Sequence, residues 1–219
     1  MSKTFIYRKD LVYLRAVCAI SVTFFHVMPW RFPNGYIGVD VFFIISGYVL
    51  SNNLIGSSFS LAPRQLLRKR FFRLFPALLV SIILTLPLVF LFVESPKVRS
   101  FGYIQVISSL FFSSNITASA MSPDYFGANN NPYLHLWSIS IEIQMYLICV
   151  TAVLISNSLA NFRQFAYDYR CHLLFRNIVL FCVLSLLTLL VYFFFNFLNV
   201  SPYYNLGLRL LEFFVGIVA

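Results

Sequence analysis

Almost purely apolar runs of about twenty residues recur along this chain, near 11–30, 37–56, 74–93, 136–156 and 177–198, with a shorter one from about 206 onward. Each full run can cross roughly 30 Å of hydrocarbon as a helix rising about 1.5 Å per residue. The expected fold is therefore all-α: a polytopic helical membrane protein with five full spans plus a truncated sixth. With 60% of residues apolar and 11% charged, against roughly a quarter charged in soluble domains, a water-soluble globular domain is excluded. From Leu206 to Ala219 the last run covers only about 21 Å. Residues 1–219 are thus expected to form the N-terminal part of a longer membrane domain, with further spans and any extracytoplasmic domain absent.

The net charge of +9 does not point to nucleic acid, because the cations sit between apolar runs rather than along one water-facing element. They fall into three groups: Lys3, Arg8 and Lys9; Arg64, Arg68, Lys69, Arg70 and Arg73; and Arg163, Arg170 and Arg176. All three lie on one side if the broken apolar stretch 101–117 does not cross, and the positive-inside rule then makes that side, with the N-terminus, cytoplasmic. The stretch 101–117 becomes an amphipathic or re-entrant piece of a long external loop, 94–135. The first run is read as a retained anchor, since Arg15 interrupts it and no small-residue cleavage site follows. Cys18, Cys149, Cys171 and Cys182 lack metal-like spacing and are expected to be reduced packing residues. No internal repeat is visible. The bilayer is one partner implied so far, and the sequence leaves the oligomeric state open.

Polar side chains inside such runs are costly to bury and are the first places to look for function. Arg15 and His26 are eleven positions apart, a rotation of about 1100°, so they share one helix face roughly 16 Å apart along the axis. Arg15 also reads as a snorkelling cation paired with Asp10, and His26 as a hydrogen-bonded packing residue. Asp40 opens the second run, where it either complements the helix dipole or returns to hold a tautomer of His26. Gly35, Gly38 and Gly47 permit close helix approach or tight turns. Glu142 lies about 10 Å inside the fourth run and shares a face with Tyr146. A buried glutamate needs a partner, and Arg15, Arg209 or a tyrosine hydroxyl are the candidates. The run from Arg68 to Arg73 serves either as a cytoplasmic anchor or as a site for a polyanion's phosphates.

Five segments, in order, resemble the membrane-bound acyltransferase-3 family: LVYLRAVCAISVTFFH, GYIGVDVFFIISGYV, RKRFFRLFPALL, NPYLHLWSISIEIQMYL and RLLEFFVGIVA. Tyr13 and Ile143 depart from residues common in that family, Gly and Glu respectively. The spacing is most similar to the O-antigen acetylase branch. The resemblance implies an O-acyltransferase of the bacterial cytoplasmic membrane, moving an acyl group, usually acetyl, from cytoplasmic acyl-CoA to a hydroxyl of an extracytoplasmic surface polysaccharide or glycolipid. It implies acyl-CoA as donor substrate, with no permanently bound cofactor and no metal. His26, Asp40 and Glu142 are the catalytic candidates on this reading. Arg15, Arg68, Arg70 and Arg73 are expected to bind acyl-CoA, and His135, Trp137, Ser138 and Tyr146 to lie on the acceptor side. A polytopic transporter is the alternative, although no inverted repeat is detectable; a membrane assembly subunit is another.

Overall fold

The computed structural model describes residues 8–56, 63–121, 131–162, 190, 193 and 202–218. Helix dominates, and no strand occurs among the described residues. The elements are α1 (Lys9–Val27), α2 (Ile37–Gly56), α3 (Pro63–Phe92), α4 (Pro96–Leu110), α5 (Ser114–Met121) and α6 (Leu136–Phe162). A 3-10 turn, Pro202–Tyr204, then precedes α7 (Leu206–Val218). Two compact units divide at Gly56 and Leu210: the first holds α1, α2 and α7 from Leu211, the second holds α3 to α6 with the 3-10 turn and the start of α7.

In the first unit the segment between α1 and α2 is a chain of tight turns. The Met28 amide donates to Phe24 at 2.7 Å, Phe32 to Met28 at 3.1 Å and Gly35 to Phe32 at 3.1 Å, so the chain reverses in about ten residues. The rings of Phe24 and Phe32 stack across the reversal at 4.9 Å. Helices α1 and α2 then run antiparallel at very short range. A Cβ on Gly35 would meet the Ser21 carbonyl and Phe25, and one on Gly38 would lie 2.7 Å from the Cys18 carbonyl. The same device joins α2 to α7, where a Cβ on Gly47 would strike the Phe213 carbonyl and one on Gly216 the Ile44 carbonyl. Gly35, Gly38 and Gly47 therefore serve close packing, as small residues do where helices have no water to expel. Since backbone rather than a flexible side chain blocks the space, Gly47→Ala and Gly216→Ala should each cost about 1–3 kcal/mol. Thermal unfolding in detergent, compared with the parent, measures this.

In the second unit α3 is 30 residues long with Pro76 and Pro87 inside it, about 45 Å at helical rise and longer than a hydrocarbon core requires. Ser95 caps α4, its hydroxyl accepting from the Val98 amide at 3.5 Å, with Pro96 in the first turn. The stretch 101–117 does not form one continuous helix. It breaks at Phe111–Ser113, where Phe112 takes φ 52°, and α4 and α5 fold onto α6 as two short helices. Leu78, Ile82 and Val89 of α3 meet Tyr133 and Leu136 in the core, with Val106 and Phe112 against them.

Three helical segments are long and apolar enough to cross a membrane: Lys9–Val27, Arg64–Phe92 and Leu136–Ile155. The apolar part of α2, Ile37–Ser51, is shorter, and the run 177–198, apart from Leu190 and Phe193, lies outside the described residues. Val80, Ile83, Leu84, Phe90, Leu91 and Phe92 of α3 are exposed, an apolar surface of the kind a bilayer covers.

Candidate functional site

Helix α1 is unbroken from Lys9 to Val27, which puts Arg15 and His26 on a common face as their spacing requires. Arg15 is half-buried and its Nη2 donates to Ser46 Oγ of α2 at 3.4 Å. It is Arg8, not Arg15, that takes Asp10, with nitrogens 2.7 and 3.0 Å from the carboxylate and a further bond to the Tyr48 hydroxyl at 2.8 Å. Hydrogen bonding and charge from Asp10 hold the Arg8 guanidinium above its ordinary pKa. His26 occupies the last turn of α1, exposed, with its ring edge-on to Phe25 at 5.2 Å.

The glycine contacts fix the register of α1 against α2. Gly35 lies level with the Ser21–Phe25 turn and Gly38 with the Cys18–Val22 turn. Asp40, half-buried in the first turn of α2, is then level with Cys18, and its Cα lies about 12 Å along the axis from that of His26. Side chains on antiparallel helices lean toward their own N-termini, so these two lean toward each other and Arg15 leans away toward Ser46. The first unit thus carries Arg15, Asp40 and His26 in order along one helix pair.

Glu142 belongs to the second unit, two turns into α6. Its partner is Arg70 of α3, which forms an ion pair with its carboxylate and places its guanidinium 4.9 Å from the centre of the Tyr146 ring. Arg70 is 9% exposed and Tyr146 4%. The sequence places Arg70 before the third run and Glu142 about 10 Å inside the fourth; the ion pair brings them to one level. The physical reason is the length of α3, which begins at Pro63 and carries its basic residues as part of the packed helix rather than as a loop before it.

The remaining cations of the run face another way. Gln65, Arg68, Lys69, Phe72 and Arg73 line an open groove of about 490 Å³, and Arg68 stacks over the Phe72 ring at 5.6 Å. Their spacing of i, i+3, i+4, i+7 and i+8 makes one stripe, and Arg70 lies about 130° round the helix from its centre. Of the four residues expected to bind acyl-CoA, Arg68 and Arg73 share this groove, while Arg70 and Arg15 do not line it.

The expected acceptor-side residues separate into three places. His135 is exposed and Ser138 half-buried at the start of α6, the Ser138 hydroxyl donating to the His135 carbonyl at 3.0 Å. Trp137 is 1% exposed, its ring 5.0 Å from Tyr203 and 5.5 Å from Tyr204. The Arg209 guanidinium lies 4.5 Å from the Tyr203 ring centre and its Nε donates to the Tyr203 carbonyl at 3.0 Å. Tyr146 lies under Arg70.

A polar seam between the α4–α5 pair and α6 was missed as a unit. The Gln105 amide donates to the Ser114 carbonyl at 2.9 Å, Ser114 and Ser140 exchange a hydroxyl bond at 2.7 Å, and Gln144 donates to the Phe112 carbonyl at 2.6 Å and to Asn115 at 3.0 Å. Gln144 thus satisfies backbone at the break between α4 and α5. The signal was present in part: Gln105 and Ser114 interrupt one apolar run, and Ser140 and Gln144 recur four apart in another.

An integral membrane protein built of apolar helices, with a buried Arg–Glu pair and a separate basic groove on one helix, is the class that these features define. The family model described as acyltransferase domain, of the acyltransferase-3 type, matches residues 8–219; the chain belongs to this acyltransferase family. O-acetyltransferase OatA of Staphylococcus aureus is 33% identical over 141 residues, 62% of this chain and 23% of that protein. Peptidoglycan O-acetyltransferase OatA of Listeria monocytogenes is 34% identical over 141 residues, 62% of this chain and 22% of that protein. The matched region thus spans less than a quarter of these curated relatives. No solved structure gives a significant match.

Proposed function

We propose that this chain forms part of a membrane O-acetyltransferase that carries an acetyl group from cytoplasmic acyl-CoA to a hydroxyl of an extracytoplasmic glycan. Family membership across residues 8–219 carries the reading. The relatives' printed names favour acetyl as the group, and one of them names peptidoglycan as the glycan, in place of the O-antigen class that the sequence pattern suggested. The N-terminus is cytoplasmic on this reading and the membrane is the bacterial cytoplasmic one.

The local chemistry supports it. Acyl-CoA is a polyanion, and the groove lined by Arg68, Lys69 and Arg73 offers three exposed cations to its phosphates. His26 removes the proton of the acceptor hydroxyl as its oxygen attacks the thioester carbonyl carbon; the carbon–sulfur bond breaks, and the coenzyme A thiolate leaves and is protonated. Alternatively the imidazole first takes the acetyl group and passes it on. Arg15, along the same face, supports the donor, and Asp40 lies on the same helix pair as His26. Exposed His135 and half-buried Ser138 belong to the acceptor side.

The test is incubation of membranes holding the protein with acetyl-labelled acetyl-CoA, followed by recovery of label in glycan. Substrate flux without label in any glycan sinks the proposal in favour of a transporter. Arg68→Ala with Arg73→Ala should raise the Michaelis constant for acetyl-CoA about tenfold or more with kcat held, because binding common to ground and transition state is removed. An unchanged constant removes the groove from the donor site.

A further inference from the structure

Within the proposed acetyltransferase reaction, on which this inference rests, we infer that Arg70 is a positioning residue acting through Glu142, and that only its outward neighbours Arg68, Lys69 and Arg73 meet the donor. The two arginines at 70 and 73 stand three apart in one short motif and look equivalent in sequence. The structure separates them. Arg73 is exposed in the groove with Arg68 and Lys69, whereas Arg70 is 9% exposed and turned toward α6. There one guanidinium nitrogen bonds the Glu142 carboxylate and the planar group lies against Tyr146.

Three features make this a positioning contact rather than a spare phosphate ligand. Glu142 and Tyr146 are one helical turn apart, so one guanidinium engages both and fixes the rotation of α6 about its axis. The pair joins residues 72 positions apart in sequence, and breaking either half leaves a charge poorly compensated away from water. The Glu142 side chain nonetheless keeps 17% of its surface exposed, so its carboxylate is held without being sealed off. A flat guanidinium serves two such partners at once, through charge with one and its face with the other, where a lysine ammonium serves mainly as a point charge.

The experiment compares kcat and the Michaelis constant for acetyl-CoA in membranes holding Arg70→Lys, Arg70→Ala, Glu142→Gln, Arg70→Ala with Glu142→Gln, and Arg73→Ala. Arg70→Lys keeps the charge and serves where Arg70→Ala fails to insert. The expected result is a kcat about tenfold lower or more in Arg70→Ala, with the constant for acetyl-CoA within twofold of the parent. Arg70→Lys should recover part of that loss. The double variant should be no slower than the slower single one, because the two residues act as a unit, while Arg73→Ala raises the constant and spares kcat. A raised constant in Arg70→Lys or Arg70→Ala, losses that multiply in the double variant, or no change at all would each overturn the inference. A parent protein without transfer activity overturns the acetyltransferase reading itself, which the variants among themselves do not.

Discussion

His26→Ala is expected to lower acetyl transfer by a factor of about 10² to 10⁴, the usual worth of a positioned acid–base group, and to abolish it if the imidazole carries the acetyl group. The readout is label passing from acetyl-CoA to glycan in membranes that hold the complete protein. The geometry makes this substitution unusually informative. His26 is exposed in the last turn of α1, and the close approaches at Gly35 and Gly38 involve Cys18, Ser21, Val22 and Phe25. Accumulation and thermal unfolding in detergent, measured beside the parent, report what removing its side chain does to stability. A loss of activity with normal accumulation would then reflect chemistry and not folding. Arg15→Lys keeps a charge beside Ser46 but loses the planar fork, so a weaker effect is expected there. If His26→Ala is inserted and still acetylates at the parent rate, the catalytic assignment fails even though family membership stands.

The helices were legible because a bilayer imposes one length and one polarity on whatever crosses it. Residues 11–30, 74–93 and 136–156 fall within or across helices that meet that demand. The break of 101–117 into two helices agrees with its interruption by Gly102, Gln105 and four serines. What that interruption did not supply was its covering: Gln105, Ser114 and Asn115 are buried because Ser140 and Gln144 of α6 bond to them or to their neighbours. Close approach at Gly35, Gly38 and Gly47 could be read from residue type. Gly216, which opposes Ile44 in the same manner as Gly47 opposes Phe213, carried no signal until α2 and α7 were seen side by side.

The Arg70–Glu142 pair shows where sequence reasoning stops. That Glu142 needs a partner follows from burial, and that Tyr146 shares its face follows from helical spacing. The identity of the partner depends on how far α3 slides along α6, and no local pattern encodes that slide. Placing the span at 74–93 left Arg70 outside it, although α3 begins at Pro63 and presents Arg70 inward in its second turn. Of the candidates considered for Glu142, Arg15 bonds Ser46 and Arg209 meets Tyr203 and Trp137, while a tyrosine, Tyr146, lies beside the pair under the Arg70 guanidinium.

Trp137→Ala should have the largest effect on stability of any substitution considered, about 3–5 kcal/mol. The family resemblance implied a place for it on the acceptor side. Instead the ring is 1% exposed, edge-on to Tyr203 and Tyr204, with Arg209 over it at 5.8 Å. Aromatic pairs of this geometry add to the area they bury, and an alanine would leave a void lined by two tyrosines and a guanidinium whose packing depends on the lost ring. Little inserted protein should accumulate, and what does should unfold at lower temperature in detergent. Trp137→Phe keeps an aromatic face for all three neighbours and should recover most of the loss. The same variant decides between packing and acceptor binding, because a buried packing residue leaves the Michaelis constant for the glycan within about twofold once the protein is folded. A raised glycan constant in Trp137→Phe at parent stability would return Trp137 to the acceptor site beside His135 and Ser138; an unchanged one leaves exposed His135 and half-buried Ser138 to meet the acceptor at this end of α6.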